Sequence, residues 1–208
     1  MKSTILALLS FFALAAFVVN PVVAEAGGME IGATLEDFKL TGTDGKEHSF
    51  SDLEGKNGTV IIFLSAQCPI VKAYVSRINE IAAQYQSKGI NFVGINSNNR
   101  TAESLEWVTS DAAERYKFPM LIDTGNVIAD KLGATATPEI YYFDAKNILL
   151  YHGAIDNDKT GANITENYLK AAFDSALSGK AIERTETKAI GCSIKREAKV
   201  TASNVSPK

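Results

Sequence analysis

Two cysteines and two histidines are the whole thiol and imidazole content of this 208-residue chain, and their placement narrows the chemistry open to it. Cys68, Cys192, His48 and His152 match no metal-ligand spacing, so neither a metal nor another cofactor is expected. Cys68 follows the apolar run Val60–Leu64 and the tripeptide Ser65-Ala66-Gln67, and directly precedes Pro69. A strand, a turn, a cysteine and a proline that opens a helix put the thiol at a helix N-terminus. Free N–H groups and partial positive charge there favour the thiolate. Such a thiolate attacks a peroxide O–O bond to give a sulfenic acid, or a disulfide to give a mixed disulfide. Both products need a second thiol for resolution, and Cys192 is the only other one. Four fates are open to it: resolving Cys68, forming a structural disulfide with it, pairing between chains, or staying free. Ser65 is placed to donate a hydrogen bond to the Cys68 thiolate. Lys72, one turn further on, and Arg100 are candidate cations for polarising a leaving oxygen, although both read more simply as surface residues. His48 reads as an edge residue and His152 as a structural one.

The elements that must hold Cys68 follow from periodicity. Thr43-Asp44-Gly45-Lys46 between Phe38–Leu40 and His48–Phe50 predicts an N-terminal hairpin, because Asp-Gly tolerates positive φ. Thr59–Leu64 is apolar or β-branched throughout, the pattern of a central strand covered on both faces. Val71, Val75, Ile78, Ala82 and Tyr85 recur at helical spacing, so a helix runs from Pro69 to about Ser87 and ends at Gly89. Ile90–Asn96 is a second strand. A helix is expected from Thr101 to about Tyr116, with Leu105, Val108 and Ala112 inward. A short strand at 118–123, a short helix at 126–132, a hairpin over 139–155 and a last helix at 165–178 complete the order. The predicted fold is α/β, with a mixed central sheet flanked by helices.

The two ends of the chain read differently. Met1-Lys2, the uncharged apolar run Ile5–Val19 and Ala24-Glu25-Ala26 have the layout of a cleaved secretory signal. The expected organisation is a signal peptide at 1–26, one domain at 27–180 and a polar tail at 181–208 that carries Cys192. Residues 27–36 read as an entry linker. The mature chain is then secreted or periplasmic, a compartment where disulfides persist, with no membrane association after cleavage. Hydrophobic residues make up 46% and charged residues 22%, as in ordinary globular domains, and the net charge of −3 disfavours a nucleic-acid partner.

Several stretches together resemble one family. They are Cys68-Pro69-Ile70-Val71-Lys72-Ala73-Tyr74, Gly94-Ile95-Asn96-Ser97-Asn98, Thr137-Pro138-Glu139, Tyr151-His152-Gly153-Ala154-Ile155-Asp156, and the segment from Glu186 through Gly191-Cys192-Ser193 to Lys195. With the element order, they resemble the peroxiredoxin-like (alkyl hydroperoxide reductase/thiol-specific antioxidant, or redoxin) branch of thioredoxin-fold proteins, over about residues 30–196. The resemblance implies a thioredoxin-like fold, a cis proline at Pro138 beside the active thiol, and a site built from Cys68, Ser65, Thr137 and Pro138, with Cys192 as the candidate for a resolving role. The chain departs from the family in three places: at Ser65, at Ala136, and in Ile61-Ile62-Phe63-Leu64, which lacks the proline that peroxiredoxins carry upstream of the thiol. Ser65 and Ala136 stand where members often carry further cysteines, so a dithiol switch inside the Ser65–Cys68 turn is excluded. The function expected is an extracytoplasmic thiol-dependent oxidoreductase acting on a peroxide or a protein disulfide and recharged by a thiol reductant. The alternative, motivated by the two missing cysteines, is a redox-inactive binding or scaffold protein on the same fold.

Overall fold

A computed structural model describes residues 27–198; the signal peptide assigned to 1–26, and residues 199–208, lie outside the described residues. The central strand is β3 (Gly58–Phe63), with every residue buried. It pairs in parallel with β4 (Ile90–Asn96) on one side and antiparallel with β7 (Glu139–Phe143) on the other. With β1 (Lys39–Gly42), β2 (Glu47–Ser49), β5 (Met120–Ile122) and β8 (Leu149–Gly153) it builds a seven-stranded mixed sheet in the order β2-β1-β5-β4-β3-β7-β8. The expected N-terminal hairpin is β1–β2, in register Lys39↔Ser49 to Thr41↔Glu47.

Strand alternation divides the core into two layers. Val60, Ile62 and Leu64 face α1 (Pro69–Gln86) and α4 (Tyr168–Leu177), where Tyr74, Ile78, Tyr85 and Phe173 are fully or nearly fully buried. Ile61 and Phe63 face α3 (Val127–Leu132) through Ile128, Ala129 and Leu132. The helix α2 (Leu105–Arg115) completes the first layer through Ala112.

Four expectations change in detail. Ser104 caps α2 by accepting from the Trp107 N–H at 3.1 Å, so the helix starts at Leu105 rather than Thr101. Leu105 is then turned outward, while Val108 and Ala112 are buried as expected. The last helix starts at Tyr168, because residues 157–166 form a hydrogen-bonded loop in which Asn157 Oδ1 accepts from the N–H groups of Thr165 and Glu166. Residues 27–36 are docked rather than free-running: the Met29 N–H donates to the Leu132 carbonyl, Thr34 bridges to Ile148, and Leu35 is buried.

The stretch after α4 is stitched across the sheet although almost none of it is regular. The His152 N–H donates to the Thr185 carbonyl, and the Thr187 N–H donates to the His152 carbonyl. Gly153, at φ +137°, lets Thr187 approach so closely that a Cβ would sit 2.2 Å from its carbonyl oxygen. Further on, Ile194 is buried in the layer around Ile61 and Phe63. This strap therefore passes from one face of the sheet to the other, and Cys192 lies on it between two anchors.

One buried ion pair ties α1 to the loop after β8. Asp156, 1% exposed, accepts from Arg77 at 2.6 Å and from the Tyr74 hydroxyl at 2.9 Å. Arg77 also donates to the carbonyls of Asp158 and Lys159. Arg77→Met strips the cation from a buried carboxylate, and the expected loss is about 3 kcal/mol. It is read from the urea midpoint at unchanged slope; a loss below about 1 kcal/mol would show that Tyr74 and the Asp158 N–H, which donates to the same carboxylate at 3.0 Å, suffice.

Candidate active site

The site forms where the ends of β3 and β7 meet. Register places Phe63 opposite Glu139, so the chain leaving β3 toward Cys68 lies beside the chain entering β7 from Pro138. Cys68 is the N-cap of α1, with extended backbone at φ −67° and ψ 117°, and Pro69 occupies the first helical turn, where no N–H is needed. The Thr137–Pro138 peptide bond is cis. The Cys68 Sγ lies 3.3 Å from the Thr137 carbonyl oxygen, and Cys68 is only 2% exposed.

The strap delivers the second sulfur. Strand β6 (Ala136–Thr137) pairs antiparallel with β9 (Cys192–Ser193), with Thr137 opposite Cys192. The Thr137 hydroxyl donates to the Cys192 carbonyl at 3.4 Å, and the Ile194 N–H donates to the Thr135 carbonyl at 2.9 Å. Gly191 is required by contact: a Cβ there would lie 2.1 Å from the Thr137 carbonyl oxygen. In this arrangement Cys68 and Cys192 form a disulfide, with Cα atoms 6.0 Å apart across 124 residues of sequence. The bond is the pairing that both a resolving and a structural Cys192 would make; in this structure Cys192 is neither free nor paired with another chain.

Ser65 is differently engaged from the sequence reading. Its hydroxyl donates to the Glu103 carboxylate and accepts the Cys68 N–H at 3.2 Å, so its proton is committed away from the sulfur. Lys72 and Arg100 both have exposed side chains. His48, on the edge strand β2, pairs with Asp44 at 3.0 Å. His152 stacks on Tyr141 with ring centroids 4.5 Å apart and places Nε2 2.8 Å from Glu139.

Two carboxylates were not singled out from the sequence. Glu103, 3% exposed, bonds Ser65, the N–H groups of Ala66 (3.1 Å) and Gln67 (3.0 Å), and the Asn96 amide. It sits among helix-start residues, and nothing local marks it as inward-facing. Glu139, also 3% exposed, accepts from the N–H groups of Thr135 and Ala136, each at 2.8 Å, and from the Tyr141 hydroxyl. Its signal was available: a charged residue opening a strand that is otherwise Ile-Tyr-Tyr-Phe. Burial alone would push the Glu139 carboxyl up, but hydrogen bonds from His152, Thr135 and Ala136 outweigh it and hold the group below its usual range.

The model of the AhpC/TSA family matches residues 31–152. The chain belongs to that family. Cys192 and its strap lie beyond the C-terminal end of the matched stretch. Among solved structures, an uncharacterized conserved protein from Geobacillus kaustophilus is 33% identical, with a TM-score of 0.76 over 83% of this chain and 94% of that one. A hypothetical protein from Sinorhizobium meliloti is 31% identical, with the same TM-score, over 83% and 98%. Among curated relatives, the thiol-disulfide oxidoreductase ResA of Geobacillus thermodenitrificans is 25% identical over 143 residues, 68% of this chain and 79% of that protein. The fold of this AhpC/TSA member is thioredoxin-like.

Because the folded pKa of Glu139 lies below its unfolded value, its ionised form contributes stability that is fully present above about pH 4.3 and is lost as pH falls through the folded value. Glu139→Gln removes that dependence. Urea midpoints measured from neutral pH down to acid should fall less steeply in the variant than in the wild type; parallel curves would contradict the assignment.

Proposed function

We propose that this AhpC/TSA protein is an extracytoplasmic thiol–disulfide oxidoreductase in which Cys68 exchanges with partner disulfides and Cys192 resolves the intermediate. The observation that carries the reading is the Cys68–Cys192 disulfide itself, formed at a helix N-terminus beside cis-Pro138 by a sulfur on an anchored strap. Relatives named ResA and DsbE, a thiol-disulfide oxidoreductase and a thiol:disulfide interchange protein, support it. The leader-like residues 1–26 and the use of both cysteines in one disulfide support an oxidising compartment.

The chain's own residues suffice for the exchange. The reduced Cys68 thiolate, favoured by the N-terminus of α1, attacks one sulfur of a partner disulfide. The S–S bond breaks, the far sulfur leaves as a thiolate, and a mixed disulfide remains. The Cys192 thiolate then attacks the Cys68 Sγ and expels the second partner sulfur. The partner gains two electrons and two protons, and Cys68–Cys192 becomes the disulfide. A protein dithiol recharges the pair by the reverse sequence. Thr137 holds Cys192 in register, so the second attack is intramolecular and fast. Disulfide exchange is favoured over peroxide reduction because Lys72 and Arg100, the cations that would polarise a leaving oxygen, have exposed side chains, and the Ser65 proton points to Glu103.

The reduced protein should reduce a model protein disulfide, with turnover lowered by roughly 10³-fold or more in Cys68→Ser. Cys192→Ser should accumulate a mixed disulfide with the partner, visible as an adduct mass on Cys68. Absence of both turnover and adduct would favour the redox-inactive binding protein instead. Fast consumption of hydrogen peroxide with slow disulfide exchange would return the chain to the peroxidase reading.

A further inference from the structure

Glu103 is a buried carboxylate that the exchange mechanism does not use. It lies just before α2, far in sequence from Cys68, yet all four of its partners serve the loop that presents the thiol or the strand beneath it. Ser65 Oγ, the Ala66 N–H and the Gln67 N–H are consecutive donors on the approach to Cys68, and the Asn96 amide comes from the end of β4. The Ser65 hydroxyl accepts from the Cys68 N–H and gives its own proton to Glu103. Four donors and no acceptor are the surroundings of an ionised carboxylate. Its bonds are to neutral groups, so no cation cancels its charge. Glu103 is only 3% exposed, so its charge is poorly screened by solvent.

We propose that Glu103 is a positioning residue that tunes Cys68: through Ser65 and the two loop N–H groups it fixes the thiol's approach, and its negative charge restrains thiolate formation. The inference rests on the exchange reading for its meaning. The other charged groups around the loop are Asp111, ion-paired with Arg115 at 2.6 Å, exposed Lys72 on the first turn of α1, Glu139 after Pro138, and exposed Lys195, which donates to the Ser193 hydroxyl. None of them bonds the loop N–H groups; Glu103 does. Through Ser65, which also accepts the Cys68 N–H, it sets a like charge two hydrogen bonds from the residue whose sulfur must ionise. That raises the cost of the thiolate and so favours the disulfide over the dithiol.

The test uses the full mature chain. In a Cys192→Ser background only Cys68 titrates, and its thiolate absorbance is followed against pH with and without Glu103→Gln. The variant should titrate at lower pH. With both cysteines present, Glu103→Gln should shift the equilibrium with glutathione about tenfold toward the dithiol, the ratio that corresponds to one pKa step. Ser65→Ala frees the Cys68 N–H while keeping the charge, so it should shift both readouts the same way by less. It also carries the test if Glu103→Gln does not fold. An unchanged titration and an unchanged glutathione equilibrium in a folded variant would overturn the inference. A wild-type pair that never equilibrates with glutathione would instead overturn the exchange reading, while the Cys68 titration would still report on Glu103.

Discussion

Two residues of strand pairing decide what this molecule can do. Ala136–Thr137 against Cys192–Ser193 is a short sheet by any measure, yet it sets a sulfur from the strap after α4 against the cysteine that follows β3. The pairing is possible because Gly191 has no side chain to strike the Thr137 carbonyl. It is held from both sides, by Thr187 on β8 upstream and by buried Ile194 downstream. A free tail would reach Cys68 only by diffusion. An anchored strap fixes the second sulfur beside Cys68, where the 65–68 turn has only one.

Two buried carboxylates brace the two irregular stretches that lead to the site. Glu103 gathers the loop before Cys68, and Glu139 gathers the chain around cis-Pro138 through the N–H groups of Thr135 and Ala136. Each satisfies backbone donors that irregular structure would otherwise leave buried without partners. Rigid loops on both sides hold the sulfurs in line. The cost is negative charge near a group that must itself become negative, which is why Glu103 is a tuning element as well as a brace.

Much of the frame was legible in the sequence because it is written in local signals. β3 announced itself by an unbroken apolar run, α1 by its core stripe and Pro69, the hairpin by Asp44-Gly45, and the place of Cys68 at the start of α1 by the strand and helix that flank it. The bond between Cys68 and Cys192 was one of several open readings, and the sequence could not choose among them. It depends on a strap whose residues carry no periodicity and whose anchors, Thr187 and Ile194, are ordinary until the sheet they bind exists. Glu103 was hidden for the same reason: the cap at Ser104 turns it inward, and only the folded loop supplies its donors. Leu105 was misplaced because that cap moved the helix start and with it the inward face.

The central claim is that Cys68–Cys192 is a working redox pair, as opposed to a permanent staple. It is tested most directly by equilibrating the mature protein across a series of thiol–disulfide buffers and counting free thiols by mass. The account predicts one reversible two-electron transition, in which both cysteines appear and disappear together at a potential above about −300 mV, the region of exchanging disulfides. A pair that stays oxidised to well below that potential, or that opens only when the protein unfolds, would contradict it.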